Sequence, residues 1–205
     1  MRKPEKITIE SYDKTVDEYI KNVDSLHPIN ESKKFLSLLG KGARILDLGC
    51  GPGRDAKVFV KQGLRIIGID LSKNMVSTAK KRVKNGDFHV MDIRKLRFND
   101  KYFDGIWASA IFLHIPKKDI LEALQESFRV LKKGGILYSS VKKGYGEIFK
   151  PDKRYNNIKK FWSFFQKEEI ERELKNAGFT IQESYTELQK ISYATNPWMH
   201  ILCRK

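Results

Sequence analysis

The chain has 205 residues, 40% hydrophobic and 32% charged, with 40 Lys and Arg against 25 Asp and Glu and a formal net charge of +15. That length suits one domain burying about 70% of its unfolded surface, and the composition excludes intrinsic disorder. No apolar run approaches the roughly 18 residues of a membrane span, and the N-terminal MRKPEKITIE has no apolar signal core.

Cys50 and Cys203 form neither a disulfide framework nor a metal-ligand spacing. The expectation is a cytoplasmic protein, a monomer or weak homodimer, with no membrane partner and no metal. The basic balance leaves a polyanionic partner such as RNA open. Lysine pairs, however, are scattered (at 33, 80, 117, 132, 142 and 159) instead of forming a basic arm, which favours a solvated lysine-rich surface.

In chain order, SYDKTVDEYIKNV spaces Tyr12, Val16, Tyr19 and Val23 at helical intervals, predicting one helix. NESKKFLSLLG predicts a second, capped by Asn30 and stopped at Gly40. Strand and helix then alternate: ARILDLG, a helix over GRDAKVFVKQG, LRIIGID, then a helix over SKNMVSTAKKRV capped by Ser72 or Asn74. DFHVMD and FDGIWAS are further strands, KKDILEALQESFRVL a helix, and GGILYSSV a fifth strand. Uniformly apolar strands alternating with helices imply a parallel sheet covered on both faces, in a doubly wound α/β layout. After Val141 a polar-aromatic loop, KKGYGEIFKPDKRYNNIKKFW, precedes a helix, QKEEIERELKNAG. FTIQESYTEL and WMHILCRK then read as an antiparallel strand pair joined near Asn196-Pro197.

The stretch ILDLGCGPGRD, Ile45 to Asp55, follows the first strand. Gly49, Gly51 and Gly53 allow a tight turn and a close approach of backbone to ligand at the lip of the crevice. A dinucleotide pyrophosphate wants G-x-G-x-x-G; here the spacing is G-x-G-x-G, and Arg54 stands where the third dinucleotide glycine belongs. Asp47, two residues before the first glycine, would repel a pyrophosphate but suits an ammonium and a sulfonium, which points to S-adenosylmethionine. Asp70, at the end of the second strand, can accept both ribose hydroxyls, or else cap the helix after it. Asp92, closing the third strand, can take the adenine amino group, or else serve a turn.

These residues carry a resemblance. From YDKTVDEY through ILDLGCGPGRDA, IGIDLSKNMV, FDGIWASAIFLHIP and VLKKGGILYSSVKKGYGE to WMHILCRK, the chain resembles class I S-adenosylmethionine-dependent methyltransferases of the small free-standing bacterial type with a GPGRD first loop. The resemblance implies a Rossmann-like seven-stranded mixed sheet, last strand antiparallel, with helices on both faces. It divides the chain into an N-terminal helical lid (1–40), a cofactor-binding core (41–142) and an acceptor-side loop, helix and strand pair (143–205). It implies that Asp47 orients the methionyl end through Gly49 and Gly51, with Cys50, Gly53 and Met75 completing the set. Asp70 would hold the ribose, and Leu71, Asp92 and Ile93 would frame the adenine. The backbone at Ala108 and Ser109 would lie against the methionyl group. Tyr12 and Tyr19 resemble an aromatic lid, though packing of an N-terminal helix explains them equally. Related sequences carry D-x-R and G-R-x-F segments near the C-terminus; here those regions read TELQKISYATNPW and DKRYNNIKKFW, so the acceptor differs accordingly.

Methyl transfer from a sulfonium asks mainly for alignment and exclusion of water, with a base needed only if the acceptor must lose a proton. The loop SAIFLHIP is the expected acceptor wall, and His114, its one titratable side chain, is the candidate catalytic base or else a structural imidazole. Tyr145 and Glu147 are further acceptor-side candidates. No Asn/Asp-Pro-Pro-Tyr/Phe tetrapeptide follows strand four and no cysteine lies in the acceptor region, so exocyclic-amine and covalent cytosine methylation are disfavoured. A small-molecule acceptor leads. RNA, or a non-catalytic module that binds the cofactor, is the alternative.

Overall fold

The computed structural model describes residues 3–155, 157–188 and 196–205. In chain order it contains α1 (Lys3–Lys14), α2 (Val16–Val23), α3 (Ile29–Ser37), β1 (Arg44–Leu48), α4 (Arg54–Lys61), β2 (Arg65–Asp70), α5 (Lys73–Arg82), β3 (Gly86–Val90) and β4 (Phe103–Ser109). It continues through α6 (Ile120–Val130), β5 (Leu131–Lys142), β6 (Glu147–Asp152), β7 (Ile158–Ser163), α7 (Lys167–Asn176), β8 (Thr180–Glu187) and β9 (Trp198–Arg204).

Seven strands form one sheet in the order β3-β2-β1-β4-β5-β9-β8. The first five pair in parallel, and β9 alone runs antiparallel, inserted between β5 and β8. This is the mixed, doubly wound sheet expected. Because side chains alternate along a strand, Leu46 and Leu48 join a core with α6 and α7 (Ile120, Leu124, Ile170, Leu174), while Ile45 joins the opposite core with Phe35, Phe59 and Val76 from α3, α4 and α5. Asp47 shares the face of Ile45, between Gly68 and Trp107 on the neighbouring strands. The polar face of α6 is left to solvent, as its period of Ile120, Ala123, Leu124 and Ser127 requires. No described helix is long and apolar enough to cross a membrane.

Three expectations need correction. The single helix over Ser11–Val23 is two: α1 starts earlier and ends before Thr15, whose Oγ1 donates to the Ser11 carbonyl (2.8 Å) while its own φ and ψ leave the helical region. Asn30 does not cap α3; Pro28 holds that position, its fixed φ suiting the start of a helix. The loop after Val141 contains a β-hairpin, β6 paired antiparallel with β7 apart from the main sheet. Its partner on the body is α1, where the Phe161 N–H donates to Thr8 Oγ1 (3.0 Å). Much of the segment TELQKISYATNPW, at 189–195, lies outside the described residues.

Candidate functional site

Strand order reverses between β1 and β4, so the loops leaving their carboxyl ends face each other across the crevice where such sheets bind ligands. Gly49, Gly51 and Gly53 all adopt left-handed φ (68°, 51° and 82°), which favours glycine at each. At Gly49 sterics add to this: a Cβ would lie 2.7 Å from Ile111 Cδ1 on the opposite loop. The bare backbone therefore lets the two loops close on one another.

Beneath the glycine loop lie two carboxylates with opposite fates. Asp55 accepts from Arg54 Nε and Nη2 (2.6 and 2.9 Å), from His27 Nδ1 (2.8 Å) and from Trp107 Nε1 (2.7 Å). Burial would raise its carboxyl, but the Arg54 charge and the His27 and Arg54 hydrogen bonds outweigh that and hold it well below the usual range. Asp47 is equally buried, and its Oδ2 has no hydrogen-bond partner. Burial, reinforced by the Asp55 charge, pushes its carboxyl well above the ordinary value. An orphaned buried carboxylate oxygen is costly unless something outside the chain satisfies it.

Asp70, at the end of β2, accepts from the Gly51 N–H (3.0 Å) and the Ser72 N–H (2.9 Å). Capping of α5 falls instead to Ser72, whose Oγ accepts from the Met75 N–H (3.1 Å). A cavity of about 70 Å³ opens beside Asp70, walled by Gly49, Leu71, Met91, Ile93 and Ile111 and roofed by Tyr12 from α1. A second, of about 40 Å³, adjoins it, walled by Gly49, Gly51, Asp70, Met75 and Ser109 under Tyr12 and Tyr19. Tyr12, Tyr19, Gly49, Gly51, Asp70, Leu71, Met75, Ile93 and Ser109 are therefore brought together around these two cavities.

Other expected residues, Asp47 among them, stand back from the walls of these cavities. Asp92 is taken by Arg94 in a two-armed ion pair (2.9 and 2.5 Å), while its neighbours Met91 and Ile93 line the wall. The Cys50 thiol is buried in the core and pushed up by that burial. Ala108 is likewise a core residue. Gly53 serves packing: a Cβ there would meet Val83 Cγ2 at 2.9 Å.

A third cavity, about 120 Å³, adjoins the second, with Tyr12, Tyr19, Ser109, Ala110 and His114 lining both. Its far wall is aromatic and cationic: Tyr155, Trp162 and Trp198 with Arg54, Lys142 and Arg154. His114 Nδ1–H donates to the Phe161 carbonyl (2.8 Å), which leaves Nε2 to accept the Tyr12 hydroxyl (2.9 Å). Burial presses this imidazole down to about 3, against the pull of the Phe161 carbonyl. Through these two hydrogen bonds His114 joins α1 to β7. Tyr145, 84% exposed, and Glu147, which accepts from the Lys117 N–H (2.7 Å) on the hairpin's outer side, do not line the cavity.

Sequence reasoning missed three residues of the hairpin region that line the third cavity, Arg154, Tyr155 and Trp162, and it missed Lys160, which is buried beside them but outside the cavity lining. Lys160, 1% exposed, lays its ammonium over the rings of Tyr155 (3.4 Å) and Tyr12 (4.1 Å), 3.9 Å from Asp152. Burial lowers it to about 7, with Asp152 opposing. The aromatic spacing in KKFW was the available signal, but Pro151 and the run of charges masked the strands. Arg54 was noticed only as a missing glycine.

Residues 46–139 match the family model described as a methyltransferase domain. YqeM of Bacillus subtilis, a protein that carries a methyltransferase name, is 34% identical over 151 residues, 67% of this chain and 60% of YqeM; the chain thus spans less than two thirds of that relative. Among solved structures, an S-adenosylmethionine-dependent methyltransferase from Methanosarcina mazei superposes with a TM-score of 0.77 at 20% identity, covering 87% of this chain and 97% of the other. The 1,6-didemethyltoxoflavin-N1-methyltransferase of Burkholderia thailandensis, solved with 1,6-didemethyltoxoflavin and S-adenosylhomocysteine bound, gives 0.71 at 21% identity over 100% and 91%. At such identities the likeness is one of fold.

Proposed function

We propose that this chain is an S-adenosylmethionine-dependent methyltransferase acting on a small molecule. The observation that carries the reading is the adjacency of cavities: the space beside Asp70 and the glycine loop shares a wall of Tyr12, Tyr19, Ser109, Ala110 and His114 with a separate chamber. A ligand in each would meet at that shared wall, as a transfer between two bound partners requires.

The residues present fit the cofactor. Asp47 offers a buried carboxylate oxygen without a partner, matched to an ammonium; Asp70 sits at the strand end suited to ribose hydroxyls; Leu71 and Ile93 give apolar walls for a base. When bound, the cofactor supplies a methyl group already activated on a sulfonium. What the chain contributes is alignment and dryness. The Tyr12–His114–Phe161 relay ties α1, the loop after β4 and β7 into one cover over the shared wall. With His114 neutral and engaged, the reading assigns no proton transfer to it. The third cavity's 120 Å³ favours a small acceptor over a nucleotide of structured RNA.

The test is a thermal-shift comparison of S-adenosylhomocysteine with NAD, followed by incubation with labelled S-adenosylmethionine and a fractionated extract. Stabilisation by the first ligand alone, with label entering small metabolites, is the expected result. Stabilisation by NAD alone, or label confined to RNA, overturns it.

A further inference from the structure

Lys142, the last residue of β5, projects its ammonium between two indoles, 4.4 Å from the Trp162 ring centre and 5.5 Å from that of Trp198. It lines the third cavity and makes no ion pair or hydrogen bond with any described residue. The other two cations of the wall are already matched. Arg54 is held by Asp55 (2.6 Å), and Arg154 by Asp152 (2.7 Å). Among the described residues, no carboxylate lines the chamber. The balance is a net positive charge among aromatic side chains, in a space of about 120 Å³, close in size to a cavity of about 150 Å³ that admits benzene. Burial pushes the Lys142 ammonium down to about 8, and Arg154 adds to that; an anion alongside would reverse the penalty.

Resting on the methyltransferase reading, we infer that the chamber takes a small planar monoanion, a single-ring aromatic or heteroaromatic carboxylate, with its charge on Lys142 and its ring against Trp162 and Trp198. Stacking on indole faces rewards a flat ligand. A charge-assisted hydrogen bond to an otherwise unpaired ammonium rewards an anion and rejects a cation.

Calorimetry first measures S-adenosylhomocysteine binding, and then titrates the saturated protein with benzoate, benzamide and benzylamine, three probes of one shape and different charge. Benzoate is expected to bind at least about tenfold tighter than benzamide, equivalent to about 1.4 kcal/mol, with benzylamine weakest. Lys142→Gln should erase the preference and Lys142→Arg keep most of it, both with S-adenosylhomocysteine affinity within about twofold of wild type as the measure of a folded site. Equal binding of benzoate and benzamide, a preference for benzylamine, a preference that survives Lys142→Gln, or no benzoate binding up to about 10 mM overturns the inference while leaving the cofactor reading intact. Failure of S-adenosylhomocysteine to bind overturns both.

Discussion

Asp47→Asn separates the demands of binding from those of folding. In the ligand-free chain the Asp47 Oδ2 is buried and unpartnered, with the charges of Asp55 and Asp70 nearby. A buried polar group left unsatisfied costs about 1–3 kcal/mol, and asparagine keeps the shape while removing the charge. The substitution should therefore stabilise the free protein by about 1–2 kcal/mol, a rise in Tm of about 3–6 °C for a chain of this size. The same change should weaken S-adenosylhomocysteine by about tenfold or more, since a charge-assisted contact to the ligand's ammonium is lost. The pH dependence has a defined sign. A carboxyl raised in the folded state contributes most below its unfolded value, about 3.9, and that contribution is lost as pH rises through the folded value. The Tm advantage of Asp47→Asn should therefore shrink as pH falls towards about 4. Thermal unfolding with and without S-adenosylhomocysteine, across that range, reads all three effects. A less stable variant with unchanged ligand affinity would refute the reasoning.

Asp70→Ala should weaken S-adenosylhomocysteine by on the order of 1–3 kcal/mol in calorimetry; unaltered binding removes Asp70 from the site. Tyr12→Phe deletes the hydroxyl that His114 Nε2 accepts and should cost about 0.5–1.5 kcal/mol in urea unfolding, whereas a neutral result would mean that the contact does not hold the lid. His114, pressed to about 3 in the fold, contributes stability that is present above its unfolded value of about 6.5 and lost as pH falls towards the folded value. His114→Gln should accordingly flatten the acid side of the Tm profile, and an NMR titration should show no His114 inflection between about pH 5 and 8.

The parallel core was legible because its signals are local. Apolar runs such as RILDL and RIIGID, stop residues such as Gly63, and the Ser72 cap each act within a few residues, and the structure returns them nearly in place. Asp70 and the three glycines were legible for the same reason, since a strand end and a left-handed turn fix their neighbourhood. The hairpin was not. Pro151 and the lysines of FKPDKRYNNIKK argue against strands when read alone, and the hairpin docks on a helix some 150 residues away in sequence, through the Phe161 N–H and Thr8.

The order of residues along the chain thus determined the sheet, its glycine-lined crevice and the strand-end acids, because hydrogen-bond pattern and side-chain alternation are properties of short segments. Only the tertiary structure decided that His114 is spent on Tyr12 and Phe161, that Asp92 is held by Arg94, and that Lys142 is left, among the described residues, without a paired counter-charge. Those outcomes depend on which polar groups from distant segments meet after water is excluded, and distance in sequence carries no information about that meeting.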